Sequence, residues 1–183
     1  AVATLGDAAV AGFGAATRVQ SVALVPLFAL SSGIGPVIGQ NWGAEKQHRA
    51  RAGMRDAWVF CGGYGVLIAV ALTAFADPLA GLFIESNDAR VYAAQYLMIV
   101  GWSLFGYGIL VTANAAMNAR SKAGYSVGLS LARIFVIYVP LAWIGLIIFG
   151  YPGILAAAIA ANVFAVGGAW WCAQRTGLNP VHA

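Results

Sequence analysis

The stretch from residue 134 to residue 174 decides the fold, and it reads IFVIYVPLAWIGLIIFGYPGILAAAIAANVFAVGGAWWCAQ. None of these 41 residues is Asp, Glu, Lys or Arg. A membrane-spanning helix needs roughly 20 consecutive apolar residues, so the stretch is long enough for two. The sequence GYPG at Gly150–Gly153 lies near its middle and is a strong turn signal. We therefore predict two membrane helices, over about 124–149 and 153–173, with Arg133 inside the first.

The composition of the whole chain supports the same conclusion. Of its 183 residues, 61% are apolar and 9% are charged, and the mean hydropathy is +0.81. An ordinary soluble domain is about 45–50% apolar and about 25% charged, so these few charges could not cover a soluble surface. This excludes a water-soluble enzyme, a disordered chain and a disulfide scaffold. Because runs such as Ile154–Ala161 lack the alternation of a β-barrel, we predict an all-α integral membrane protein.

Three further stretches without charged residues are each long enough for one membrane helix. They predict helices over about 9–41, 57–77 and 91–118, so that the chain has five membrane helices in all. The first is about 50 Å long at 1.5 Å per residue. Its start is therefore expected to lie outside the hydrocarbon.

The basic residues predict the orientation, because cytoplasmic loops of membrane proteins are enriched in Lys and Arg. The connections after helices one and three and the tail after helix five carry Lys46, Arg49, Arg51, Arg55, Arg120, Lys122 and Arg175. The opposite connections carry only Arg90 among basic residues. We predict a multi-pass protein of the cytoplasmic (inner) membrane, with its N-terminus outside and its C-terminus in the cytoplasm. This orientation accounts for the net charge of +4, so nucleic acid is not an expected partner.

The connection between the first two helices, Trp42–Trp58, is the most polar part of the chain. We predict that it is a short connector at the membrane interface. Its basic residues either contact the headgroups of anionic membrane lipids or only set the topology.

Two arginines lie in or beside the predicted spans. Arg18 is near the outer end of the first helix, and Arg133 is about 13 Å deep in the fourth. A charge inside the membrane is costly and is a functional-site hypothesis by default; the alternative is that the long side chain reaches the interface. The spans contain no carboxylate that could pair with Arg133. Its expected partner is therefore a backbone carbonyl, a lipid phosphate or a helix outside this sequence.

Neutral polar and aromatic residues are further candidates. Asn114 and Asn118 lie one turn apart on one helical face, where they either hydrogen-bond between helices or line a wet cavity. Tyr107 and Tyr138 either stack on flat cationic ligands or are ordinary lipid-facing or core aromatics. Pro26–Pro36, a segment of the first helix that begins and ends in proline, is either a bending segment or a static kink.

Several chemistries have no support in the sequence. The chain lacks a phosphate-binding G-x-x-x-x-G-K-[ST] loop, an H-E-x-x-H pair and any pair of acidic residues inside a predicted span. We therefore do not expect an enzyme, and we expect neither a metal nor a cofactor site.

Several short segments, taken in order, resemble the multidrug and toxic compound extrusion (MATE) family. They are the G-Q-N-W-G-A sequence of Gly39–Ala44 with the basic residues that follow it, Ala11–Arg18, Asp77–Phe83, Ala93–Leu97 and Asn114–Ala119. The last, N-A-A-M-N-A, resembles the DinF-like branch. The segments extend over nearly the whole chain.

This resemblance implies twelve helices in two lobes, of which the chain forms helices 8 to 12 in the C-terminal lobe. An odd number of helices and an external start agree with a missing N-terminal lobe, which is then the expected partner. Family members export hydrophobic, often cationic compounds in exchange for protons or sodium, by alternating access between the lobes. Because Val91–Ala119 lacks the acidic residue that some sodium-coupled relatives carry in this helix, protons are favoured over sodium.

We therefore expect a secondary active multidrug antiporter. The residues expected at its central cleft are Tyr107, Asn114, Asn118, Arg133 and Tyr138, with Arg133 tuning the electrostatics of the cleft. Two alternatives stay open. A flippase for lipid-linked oligosaccharides, in the same superfamily, requires a more basic cavity, and a non-transporting membrane scaffold requires no central polar face.

Overall fold

The computed structural model describes residues 2–182, and helices are the regular elements of that range. The α-helices are α1 (Asp7–Gly43), α2 (Gln47–Ala74), α3 (Ala76–Gly81), α4 (Asn87–Val100), α5 (Leu104–Ala119), α6 (Ala123–Leu131), α7 (Val139–Phe149) and α8 (Tyr151–Arg175). A π-helical segment, Ala132–Tyr138, joins α6 to α7. Short 3-10 turns are formed by Val2–Leu5, Gly101–Ser103 and Pro180–His182.

Five helical segments of the described chain are long and apolar enough to cross a membrane. They are Asp7–Gly43, Gln47–Ala74, Asn87–Ala119, Ala123–Phe149 and Tyr151–Arg175. The prediction of an all-α membrane fold with five spans is therefore confirmed. Helices suit this environment because they satisfy their backbone hydrogen bonds internally, where no water is available.

The predicted connector at Trp42–Trp58 is wrong in its extent. The second helix begins at Gln47 rather than near residue 57, so most of the segment belongs to α1 or α2. The chain reverses over three residues, and Glu45 takes a positive φ of 59° there. Arg49, Arg51 and Arg55 thus lie on the first turns of α2, and Lys46 directly precedes the helix. Long charged side chains at a helix end can reach water while the backbone stays helical.

Two predicted helices are also less regular than expected. The third span changes to a 3-10 turn at Gly101–Ser103, and the fourth is π-helical over Ala132–Tyr138. Pro140 follows the π-helical segment and lacks the N–H that would bond the carbonyl of Val136. A local change of helical geometry accommodates the missing bond and the proline ring.

The helix α5 occupies the interior of the bundle, where it contacts α1, α2 and α8. In the most apolar part of its span, 67% of the residues are buried, against 6% in the span formed by α6 and α7. The span of α6 and α7 therefore lies at the edge. The large side chains that α7 exposes are Val139, Trp143, Ile144, Ile147, Ile148 and Phe149, and such a surface suits contact with lipid.

Small residues let α5 and α8 approach closely, as is common between membrane helices. A Cβ atom on Gly106 of α5 would lie only 2.7 Å from the backbone oxygen of Asn162 on α8. The absence of a side chain at Gly106 thus allows the backbone of Asn162 to pack against α5.

The helix α1 continues through both Pro26 and Pro36. Two side-chain hydrogen bonds join α1 to α2 and α5 in the region around Pro26. Tyr64 on α2 donates a hydrogen bond to the carbonyl of Ala23 at 2.8 Å, and Ser31 donates one to the carbonyl of Val111 on α5 at 3.0 Å. Bending of α1 stays a prediction.

Basic residues from distant parts of the chain meet at one end of the bundle. Arg51 on α2 donates a hydrogen bond from Nε to the carbonyl of Gly177 at 2.9 Å. The guanidinium of Arg120, after α5, lies 3.4 Å from the ring centroid of Trp42 on α1. Burial, with the positive charge of Arg51 adding to it, lowers the pKa of Arg120. The C-terminal ends of α1, α5 and α8 and the first turns of α2 therefore meet at one basic end of the bundle.

Candidate functional site

A cavity of about 360 Å³ lies between α1, α4, α5, α8 and the π-helical segment. We call it the Arg133 cavity. Its polar lining residues are Gln20, Tyr96, Ser103, Tyr107, Arg133, Tyr138 and Asn162. Its apolar lining residues are Phe13, Leu24, Val100, Ile134, Ile154, Leu155 and Ala158. Such a volume, and apolar walls with a few polar groups, are typical of small-molecule sites.

Arg133 is the one charged residue among the described residues that line this cavity. Its Nη1 donates a hydrogen bond to Oδ1 of Asn162 at 2.8 Å, and its guanidinium carbon lies 5.6 Å from the ring centroid of Tyr107. The observed partner is thus an amide side chain of α8, which is none of the three partners expected from the sequence.

The Nε–H of Arg133 has a different environment from its Nη1. The Nε atom is buried, and no hydrogen-bond acceptor contacts it within residues 2–182. Unpartnered buried donors are uncommon in proteins and usually have a specific explanation. Nη2, by contrast, is not among the buried atoms and makes no hydrogen bond within residues 2–182, so it is the donor that a bound molecule can reach.

Tyrosine and phenylalanine rings build the wall beside α1. The hydroxyl of Tyr96 on α4 donates a hydrogen bond to Oε1 of Gln20 on α1. The ring of Phe13 packs edge-on against Tyr96, with ring centroids 5.2 Å apart. Tyr107 packs in the same manner against Phe28, at 6.1 Å. These contacts between α1 and the third span hold the aromatic side of the cavity in place.

The structure brings together three of the five residues expected at the central cleft, namely Tyr107, Arg133 and Tyr138. Asn114 and Asn118 do not line the Arg133 cavity, and their expected position at the central cleft stays a prediction. Asn114 is two helical turns beyond Tyr107, about 10 Å along the axis. Its Nδ2 donates a hydrogen bond to Oγ of Ser130 on α6 at 2.9 Å, which is the interhelical alternative of the two considered.

The sequence analysis did not select four of the polar lining residues, Gln20, Tyr96, Ser103 and Asn162; Asn162 matters most among them because it contacts Arg133. It is buried, although it belongs to an otherwise apolar part of α8. An isolated amide in an apolar span was the available signal, because such a group is costly unless it finds a partner. Pairing it with Arg133 required the position of α8 relative to the π-helical segment.

The arrangement is suited to binding a small organic molecule. It offers N–H and hydroxyl groups for hydrogen bonds and aromatic rings for stacking. Among residues 2–182, no group of three His, Cys, Asp or Glu side chains lies close enough to hold a metal ion.

Five helical segments apolar enough to cross a membrane, four of which line a cavity that contains polar groups, define a multi-pass membrane protein. The chain belongs to the MatE family, that of the MATE transporters, whose profile matches residues 1–144. The family suggested by the sequence motifs is thereby confirmed.

Two relatives of the chain are named for transport or drug resistance. An FAD transporter of Shewanella oneidensis is 32% identical over 182 residues, which are 100% of this chain and 40% of the relative. A probable multidrug resistance protein of Bacillus subtilis, YpnP, is 29% identical over 148 residues, which are 76% of this chain and 33% of the relative. The chain thus spans well under half the length of these relatives.

Solved structures resemble the chain closely. The bent form of the Vibrio cholerae MATE transporter VcmN has a TM-score of 0.93 and 30% identity, over 99% of this chain and 42% of that one. An inward-facing multidrug resistance MATE transporter has a TM-score of 0.78 and 20% identity, over 94% of this chain and 41% of that one, and supports the fold alone. The described chain therefore corresponds to one lobe of a MATE transporter.

Proposed function

We propose that the protein containing this chain is a secondary active efflux transporter that exchanges an organic compound for protons by alternating access. The chain is its C-terminal lobe, and its partner is the N-terminal lobe. The observation that carries the proposal is the polar Arg133 cavity inside an apolar bundle. A charged group within a membrane span is costly and usually marks a solute or ion pathway.

The substrate that suits the cavity is a hydrophobic compound with an aromatic ring. Tyr107 and Tyr138 both line the Arg133 cavity, and aromatic side chains stack well on flat rings. The names of the two relatives, an FAD transporter and a probable multidrug resistance protein, support organic compounds as substrates. The positive charge of Arg133 disfavours a cationic group in this cavity.

The proposed orientation and coupling ion follow from the distribution of charges. The protein lies in the cytoplasmic (inner) membrane. The basic end of its bundle, where Arg51 and Arg120 lie, faces the cytoplasm. Protons are favoured over sodium because none of the described cavity residues is a carboxylate, the ligand type that sodium coupling would use. The coupling carboxylate is expected in the N-terminal lobe.

The two alternative functions are less well supported by the same cavity. A lipid-linked oligosaccharide carries a headgroup of several sugars on a long lipid, which is far larger than a cavity of about 360 Å³. A scaffold without transport has no need of a polar interior, whereas seven polar side chains line the Arg133 cavity. Efflux of a smaller compound is therefore the better explanation.

The test uses everted membrane vesicles that contain the complete protein and hold an acidic interior. Ethidium and FAD are added separately, and the pH gradient is followed with a fluorescent weak base. A transported compound should partly collapse the gradient, whereas empty vesicles should not respond. No response to either compound in vesicles with verified protein would contradict the proposal. A response that requires added sodium would contradict proton coupling while retaining antiport.

A further inference from the structure

We infer that the Arg133 cavity binds the anionic group, a phosphate or carboxylate, of a small aromatic compound, with the guanidinium of Arg133 as its anchor. The inference deepens the proposed function by naming the charge of the substrate, and it rests on that function only for the claim that the bound compound is transported. The site itself is argued from charge, hydrogen bonding and size.

The charge of the cavity is the first argument. Gln20, Ser103 and Asn162 are neutral, and no Asp or Glu is among the described lining residues. The ion pairs of the described chain are Arg55–Asp56 and Arg90–Asp77, which involve none of the cavity residues. Arg133 therefore has no counter-charge in contact with it within residues 2–182. An anion that enters the cavity would supply it, in surroundings where charges interact strongly.

The hydrogen bonds of Arg133 are the second argument. A guanidinium has five N–H donors in a fixed plane. One of them donates to Oδ1 of Asn162, whereas Nη2 makes no hydrogen bond within residues 2–182 and, unlike Nε, is not among the buried atoms. Phosphates and carboxylates accept paired N–H bonds from arginine. Since Asn162 already restrains the guanidinium, little conformational entropy is lost when a ligand binds.

The size and aromatic lining are the third argument. A cavity of about 360 Å³ is at the lower end of the range of ligand sites, so a compound with one or two fused rings is appropriate. The ring of Tyr107 lies beside the guanidinium. Arg133 and Tyr138 both belong to the π-helical segment, and π-helical turns often occur at functional sites.

The experiment compares three probes that share one ring system. They are 1-naphthyl phosphate, 1-naphthol and 1-naphthylmethylamine, which are anionic, neutral and cationic at pH 7. Their affinities for the complete protein in an uncharged detergent are measured by equilibrium dialysis. The phosphate should bind about tenfold or more tightly than the other two, as expected for a hydrogen bond to a charged group.

Arg133→Gln removes the charge and retains a polar side chain. It should weaken binding of 1-naphthyl phosphate by about 10- to 100-fold and leave binding of 1-naphthol nearly unchanged. Arg133→Lys keeps the charge without the planar donor pair, so its affinity for 1-naphthyl phosphate should lie between those of the wild type and Arg133→Gln. Arg55→Gln is the matched control, since Arg55 is exposed and pairs with Asp56; it should change neither affinity.

A second variant keeps the test valid if Arg133→Gln does not fold. Asn162→Asp places a carboxylate at the position that now accepts from Nη1, and the internal counter-charge should lower the affinity for the phosphate as well. Equal affinity of the wild type for all three probes would overturn the inference. So would an equal loss for the phosphate and the naphthol in Arg133→Gln.

Anionic lipid headgroups carry the same chemistry as a soluble anion. The measurement is therefore repeated in nanodiscs of phosphatidylcholine, with and without phosphatidylglycerol. Competition by phosphatidylglycerol that is lost in Arg133→Gln would support the anion site and identify a headgroup as its occupant. Unchanged binding of 1-naphthyl phosphate would support a soluble anion.

The two proposals fail in different ways. Charge-selective binding without any transport in vesicles would overturn the proposed function alone. Transport that accompanies binding without charge selectivity would overturn the anion site alone.

Discussion

Asn162 on α8 accepts a hydrogen bond at 2.8 Å from Nη1 of Arg133 in the π-helical segment. The positive charge at the cavity is therefore held by a neutral amide, which orients the guanidinium without cancelling its charge. A carboxylate at the same position would have formed a neutral pair. The pairing joins the least buried span to α8, and it fixes one wall of the Arg133 cavity.

Replacing Asn162 should destabilise the protein according to what the new side chain can accept. Asn162→Ala leaves Nη1 of Arg133 without this acceptor and should cost about 1–3 kcal/mol. Asn162→Asp retains an acceptor and should stay closer to the wild type. Thermal unfolding of the complete protein in detergent measures both. Asn118→Ala, at an exposed position, is the control, and equal unfolding temperatures for all three variants would refute the prediction.

Gly106 should tolerate no side chain. In Gly106→Ala the new Cβ meets the backbone oxygen of Asn162 at 2.7 Å, so α5 and α8 must separate at a cost of about 1–3 kcal/mol. Gly167→Ala is the matched control, because a Cβ there meets no atom within 4 Å. Since alanine favours a helix over glycine by up to about 1 kcal/mol, the control should be neutral or stabilising. Unfolding temperatures that fall equally in both variants would speak against the close approach.

Asn114 should contribute to stability rather than to binding. Its hydrogen bond to Ser130 joins α5 to α6, and bonds of this type in membranes average about 0.6 kcal/mol. We expect Asn114→Ala to lower the unfolding temperature slightly and to leave the affinity for 1-naphthyl phosphate unchanged. Ser130→Ala should have a similar effect. A large loss of affinity in Asn114→Ala would instead support the original expectation that Asn114 lines the substrate path.

The contact between Arg120 and Trp42 should stabilise the basic end of the bundle. The guanidinium lies 3.4 Å from the ring centroid, and such pairs contribute about 0.5–2 kcal/mol. Trp42→Leu removes the ring while keeping an apolar side chain. We expect it to lower the unfolding temperature, with no further loss when Arg120→Gln is combined with it. Additive losses in the double variant would show that the two side chains act independently.

Hydropathy along the chain was sufficient to predict the five spans. The glycines and proline of Gly150–Gly153 predicted a turn between the last two spans, which the structure restricts to Gly150, since α8 begins at Tyr151. These are local properties, because each span must be apolar over its own length whatever its neighbours are. Family membership could also be predicted from local sequence, because short motifs between residues 11 and 119 indicated it. Helix ends were predicted less well. The second helix was expected to begin near residue 57, but α2 begins at Gln47 and therefore includes most of the basic residues of the predicted connector.

The composition of the cavity depended on contacts between distant segments. Tyr107, Arg133 and Tyr138 were candidates on their own chemistry, whereas Asn162 became one only through its position beside Arg133, 29 residues away in sequence. From the sequence, Asn114 was as strong a candidate for the central cleft as Tyr107. In the structure it lies two turns further along α5 and hydrogen-bonds to α6.

The amino-acid sequence by itself determined that this chain is a five-span membrane bundle with one basic end, because the cost of placing charges and unpaired backbone groups in lipid acts on each segment separately. Only the tertiary structure decided which polar groups share the cavity. That depends on how closely the helices approach and how they are rotated, as at Gly106 and Asn162, and on the π-helical segment that presents Arg133 and Tyr138.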